Sequence, residues 1–235
     1  MGLFFGTIGT FLGGIIGIFL NGISNKFLSF ILALASGLMV SVVCFEILPE
    51  AIESSSNIQI IMGILSGVFT MILCDLLVCN KIHKKNVKVN RIMKTGIVVS
   101  IGLAIHNIPE GLAIGTGLES SIKIGVTLAL TIMIHDIPEG MSMAAPLKKA
   151  GLNSFKILLY VFLSGITTGI GALIGFSIGD ISSSMLAFNL SFAAGAMLYV
   201  VSGELTPEYN KLYDGKVSAL GNIVGFILGY IVANI

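Results

Sequence analysis

The chain has 235 residues, of which 55% are hydrophobic and 11% charged, with 29 glycines and a formal net charge of +1; its mean hydropathy is +1.00. A soluble domain carries about a quarter charged residues, so this composition excludes a soluble globular fold and gives no ground for a nucleic-acid partner. It fits an all-α polytopic membrane protein in which charges are confined to short gaps between apolar runs.

Eight transmembrane helices are expected, near 3–20, 28–49, 58–79, 95–117, 122–145, 155–178, 184–205 and 217–234, forming a single domain over 1–235. The first run has no basic leader and no soluble domain after it, so it reads as a span and not as a cleaved signal peptide. Glycines recur every fourth residue in the first span (Gly9, Gly13, Gly17) and the last (Gly221, Gly225, Gly229). Such faces let helices approach closely in lipid, either within the bundle or, as the alternative, in a homodimer contact.

The second span contains ALASGLMVSVVCFEILPE (33–50), which aligns without gaps to SFAAGAMLYVVSGELTPE (191–208) in the seventh. The copies share Gly37/Gly195, Met39/Met197, Glu46/Glu204, Pro49/Pro207 and Glu50/Glu208. Spans two and seven cross in opposite directions, so this is an inverted repeat around a central helix pair, the architecture of alternating-access transporters. Its acidic residues mark the two mouths of a path, with Glu46 and Glu50 at one and Glu204 and Glu208 at the other; for Glu50 and Glu208, simple placement at a helix end is the competing reading. Asp75, alone in the third span, is either a path residue or a hydrogen-bonded bundle residue.

The segment at about 80–94, with His83, is the longest hydrophilic loop and reads as a cytoplasmic topology signal. Cys44, Cys74 and Cys79 show no CxxC pairing and read as thiols within the bundle. Placing the loop after each odd-numbered span in the cytoplasm puts Lys26, Lys81, Lys84, Lys85, Lys88, Arg91, Lys94, Lys148, Lys149, Lys156, Lys211 and Lys216 inside and leaves only Lys123 outside. Both termini are then external in the plasma membrane.

The fourth and fifth spans carry the chemistry. HNIPEGLAIG (106–115) returns as HDIPEGMSMA (135–144). His106 and Glu110 lie four residues apart, as do His135 and Glu139, so each pair shares one helix face; Asn107 and Asp136 add an oxygen ligand beside each histidine. A charge at the bilayer centre costs about 2.5–3.5 kcal/mol on insertion scales, so Glu110, Asp136 and Glu139 together cost something near 10 kcal/mol. A divalent cation would offset that cost. Imidazole with carboxylate suits zinc, iron, manganese, cobalt or cadmium, and the lack of central thiolates argues against copper(I). Pro109 and Pro138 leave the carbonyls of Ile105 and Ile134 without their helical donors. One four-ligand site from His106, Glu110, His135 and Glu139 is available, and Asn107, Asp136 and the same glutamates supply a second. A membrane-embedded hydrolase would need a HExxH-type helix with a general base, which neither motif provides; a metal-selective channel shares the ligands and stays as an alternative to a carrier.

These residues resemble the ZIP (Zrt/Irt-like protein) family of divalent metal transporters, most closely its compact bacterial GufA-like branch. The likeness runs over the full length and rests on HNIPEG, HDIPEG, FEILPEA in the second span and FAAGAMLYVVSGELTPE in the seventh. It implies eight spans with external termini, metal movement into the cytoplasm, a binuclear centre between the fourth and fifth spans, and homodimers. The first metal position maps onto His106, Glu110, His135 and Glu139, with Met39 at the place of a second-span ligand; the second maps onto Asn107, Glu110, Asp136 and Glu139. The implied substrate is Zn2+, with Fe2+, Mn2+ and Cd2+ as alternatives. Glu139 stands where many members have a second histidine, giving a more carboxylate-rich site. SGITTGIGALIG places Thr168 where related members have a glutamate, which implies a weak or absent second position. A long histidine-rich loop is missing.

Overall fold

A computed structural model describes residues 2–20, 24–84, 91–120, 122–178, 183–213 and 215–233, and over them the chain is helical with no strand. Lipid cannot hydrogen-bond the backbone, so apolar runs satisfy their N–H and C=O groups within helices. The resulting rods are α1 Gly2–Phe19, α2 Asn25–Ser54, α3 Asn57–Lys84, α4 Arg91–Ser120, α5 Ile122–Lys149, α6 Ser154–Ile178, α7 Ser183–Leu212 and α8 Lys216–Ala233. Among the described residues, six of them (α2, α3, α4, α6, α7 and α8) are long and apolar enough to cross a membrane, while α1 offers a shorter apolar stretch, Thr7–Phe19.

Local chemistry sets several of the ends. The Ser24 hydroxyl accepts a hydrogen bond from the Phe27 N–H at 3.2 Å and caps α2. At the end of α5, Leu152 N–H reaches Leu147 O at 3.1 Å and Gly151 N–H reaches Lys148 O at 3.0 Å, with Gly151 at φ 87°. This is a Schellman stop, which needs a residue that tolerates the left-handed region. The loop expected at about 80–94 is shorter than its polarity suggests, because α3 continues to Lys84 and α4 already begins at Arg91.

α2 and α7 each contain a π turn that the apolar pattern does not announce, at Val43–Ile47 and Val200–Leu205. Leu48 N–H reaches Val43 O in one and Thr206 N–H reaches Val201 O in the other. Pro49 and Pro207 follow directly. A proline has no N–H for the carbonyl four residues back and its ring crowds that carbonyl, so a locally wider turn accommodates it. Glu46 and Glu204 sit in the two turns, at matching places in the 33–50 and 191–208 repeat.

Packing divides the rods into two groups. α1 lies along α5 and α4 along α6, and α4–α5 and α1–α6 contacts complete a four-helix body. α2 lies along α8 and α3 along α7, with α2 and α7 joined near their π turns; the groups meet mainly where α4 touches α7 and α2 touches α5. Glycine sets the closeness. Gly37 meets the Asn222 carbonyl and Gly195 the Ile64 carbonyl; Gly225 meets the Leu34 carbonyl and Gly67 the Phe192 carbonyl. In each case one contact maps onto the other by the same 158-residue offset that relates the two sequence copies (33 to 191).

The glycine rows of the first and last rods are used inside the bundle. Gly9, Gly13 and Gly17 rest on α5, and Gly221, Gly225 and Gly229 rest on α2. The homodimer contact considered for them from the sequence is therefore not made by these faces. α2 is the most enclosed of the six apolar rods at 72% buried, whereas α3 and α8 are 22% buried, with Phe69, Leu76, Ile223 and Ile227 turned outward.

Candidate metal centre

The two HxIPEG motifs lie in the middle of α4 and α5, adjacent antiparallel rods joined at residue 121, and both helices continue through their motif prolines. Asn107 is 1% exposed, Glu110 4%, Asp136 0% and Glu139 1%. Three carboxylates and an amide are thus enclosed together on two adjacent rods, with the buried hydroxyl residues Thr10, Ser164 and Thr168 on the rods beside them. The side chains of His106 and His135 lie outside the described residues, as do those of Cys79 and His83. Among the described residues no three His, Cys, Asp or Glu side chains form a metal-holding group by themselves. Cys44 and Cys74 are free thiols.

α1 and α6 brace the centre symmetrically. Gly140 on α5 meets the carbonyl of Thr10, and Gly111 on α4 meets that of Thr168; a methyl group at either glycine would collide with backbone. The Thr10 hydroxyl donates to Asp136 Oδ2 at 3.3 Å. Asn107 Nδ2 donates to the Ser164 carbonyl at 3.0 Å; among the described residues Asn107 Oδ1 and the buried hydroxyls of Ser164 and Thr168 have no hydrogen-bond partner. Buried polar atoms are normally bonded, so these oxygens keep capacity to bond a water or an ion. That donor set suits a hard or borderline divalent ion.

Thr10, Ser164 and Lys94 were not singled out from the sequence. A signal existed for Thr10: Ile8, Thr10, Gly13, Ile16 and Gly17 match Ile166, Thr168, Gly171, Ile174 and Gly175 at the same 158-residue offset (8 to 166). The repeat therefore extends into α1 and α6.

Of the other candidates, Met39 is 1% exposed within the main core cluster, on the rod that touches α5. Glu46 is half-buried and Glu50 exposed, whereas Glu204 is 9% and Glu208 5% exposed. Asp75 pairs with Lys94, Oδ1 to Nζ at 3.1 Å, and lies near Tyr199 of α7. The charges of Asp75 and Lys94 both act on Glu204.

A family model described as ZIP zinc transporter matches residues 77–234. The zinc transporter ZupT of Corynebacterium aurimucosum is 32% identical over 93% of this chain and 89% of its own length. The zinc transporter ZIP11 of Xenopus tropicalis is 40% identical over 62% of this chain, a match that spans 44% of the frog protein. The zinc transporter GufA of Myxococcus xanthus is 33% identical over 58% of this chain and 54% of its own length.

Proposed function

The chain belongs to the ZIP zinc transporter family, a family of multi-pass membrane transporters and not of enzymes, and on that premise we propose that it carries a divalent metal cation, zinc first, through a site between α4 and α5. Iron, manganese and cadmium are the alternative substrates. The observation that carries this reading is the complete burial of Asn107, Glu110, Asp136 and Glu139 on two adjacent rods. Charges so enclosed in a lipid-embedded bundle are costly unless they serve an ion. His106, Glu110, His135 and Glu139 form the first position, with the Met39 thioether approaching from α2. Asn107 and Asp136 extend it toward a second position that shares the two glutamates.

All eight rods cross the membrane in this reading, in one domain. Its support is the parallel glycine register of α1 with α5, α2 with α8, α3 with α7 and α4 with α6, which alternating crossings require. The same pairing is unchanged when α1, α2 and α3 are exchanged for α6, α7 and α8 and α4 for α5, as in an inverted repeat around a central pair. The positive-inside bias then puts both termini outside in the plasma membrane, and the family likeness implies that metal moves into the cytoplasm. Glu46 and Glu50 line the external mouth, Glu204 and Glu208 the internal one, and Asp75 belongs to the internal end. The working assembly includes membrane lipid and a homodimer formed through faces other than the glycine rows.

Carboxylates and imidazoles that hold the ion must be deprotonated, and release is aided when they regain protons or their internal partners. Zinc uptake into proteoliposomes, read by an internal dye, tests the proposal. Saturable uptake by the wild type that disappears in His106→Ala/His135→Ala supports it; equal entry in both would overturn it.

A further inference from the structure

We propose that the Asp75–Lys94 ion pair is a one-sided latch that holds the Glu204 end of the molecule shut while the Glu50 end stands open; the proposal rests on the transporter reading above. Lys94 belongs to α4, in the four-helix body that carries the metal centre, and Asp75 to α3, in the other group, so the 3.1 Å contact adds an ionic tie between the two groups beside the place where α4 touches α7. Its side chains are 33% and 20% exposed, enough enclosure to reduce the screening that weakens a surface pair. Tyr199 of α7 lies near Asp75, and the charges of Lys94, Asp75, Glu208 and Lys211 all act on Glu204.

The opposite end lacks this device. The 158-residue offset takes Asp75 to Ala233 and takes Ser41 to Tyr199, while the offset between the motifs (106 to 135) takes Lys94 to Lys123. Lys123 is exposed, and Ser41 is fully buried with a hydroxyl that has no hydrogen bond. Burial follows the same asymmetry: Glu204 and Glu208 are 9% and 5% exposed, but their counterparts Glu46 and Glu50 are half-buried and exposed. Two copies of one motif with the same alternation of faces thus differ in what covers their carboxylates. In an alternating cycle the latch must break when the Glu204 end opens, so the pair biases the resting state toward the Glu50 end.

Hydrogen–deuterium exchange of the full chain in lipid nanodiscs without added metal tests this. Lys94→Gln and Asp75→Asn should quicken exchange over 199–212 by roughly fivefold, the factor expected from loss of one partly enclosed ion pair, with 43–53 unchanged or slower. The exchanged pair Asp75→Lys/Lys94→Asp should return 199–212 to the wild-type rate. Residues 216–233, remote from the latch, report general loosening; if they quicken equally in the single variants, the exchanged pair alone decides. Wild-type exchange over 199–212 in both single variants, or an exchanged pair as fast as they are, overturns the latch. Because this readout needs no zinc, a chain that fails to carry zinc leaves the test intact, and a chain that carries zinc with unaltered exchange rejects the latch alone.

Discussion

Thr10 reaches Asp136 across 126 residues of sequence, and its hydroxyl helps to orient a buried carboxylate. A hydrogen bond to a charged acceptor contributes about 1.5–3 kcal/mol, so Thr10→Val should raise the zinc KM by roughly tenfold while leaving the helical content and the maximal rate near wild type. Thr10→Ser should restore the KM; a serine variant as weak as valine would mean that shape at α1 matters and the hydroxyl does not. Asp136→Asn keeps the shape and removes the charge, so equilibrium zinc binding should weaken more in this variant than in Thr10→Val. Sequence reading singled out Glu110, Asp136 and Glu139 because charge in an apolar run is conspicuous, and Asn107 because it takes the place of Asp136 in the repeated motif. It did not pick out Thr10 or Ser164, since hydroxyl residues are ordinary in membrane helices and their role appears only once the partner is known.

At the scale of the element, two features govern function: the close crossings and the π turns. Gly111 and Gly140 let α6 and α1 lie directly on the motif helices. Gly140→Ala should cost about 1–3 kcal/mol from overpacking, read as a lower thermal midpoint with loss of zinc affinity, because α1 must move away from Asp136. The π turns predict an opposing pattern. Pro49→Ala and Pro207→Ala remove the crowding that favours the wide turn, so the thermal midpoint should rise as α-helical bonding returns, while zinc uptake falls because Glu46 or Glu204 is turned by the changed register. A rise in both stability and uptake would mean that the turns have no part in transport. The prolines were visible in the repeat, but their consequence was not. Proline restricts its own φ and removes a donor, and whether the helix then kinks, ends or widens depends on what packs around it.

Across the whole molecule, the packing of α1 with α5, α2 with α8, α3 with α7 and α4 with α6 makes two groups of helices with limited contact between them. A metal centre carried by one group, with mouths marked by residues of the other, can face one end or the other when the groups shift. The Asp75–Lys94 pair breaks the likeness of the two ends, which a perfectly repeated sequence could not do. What the sequence by itself determined was the helical class, the approximate position of each rod, and the charges at the middle of α4 and α5, because hydropathy and charge are properties of a local stretch. Asp75 showed as an isolated carboxylate in an apolar run, without a hint that Lys94 would answer it from another rod. Only the tertiary structure decided that pairing, the bracing of Asp136 by Thr10, the use of the glycine rows within the bundle, and the unequal cover of Glu46 and Glu204. Those depend on the register between helices distant in sequence, which is set by the summed packing of many small contacts and not by any one segment.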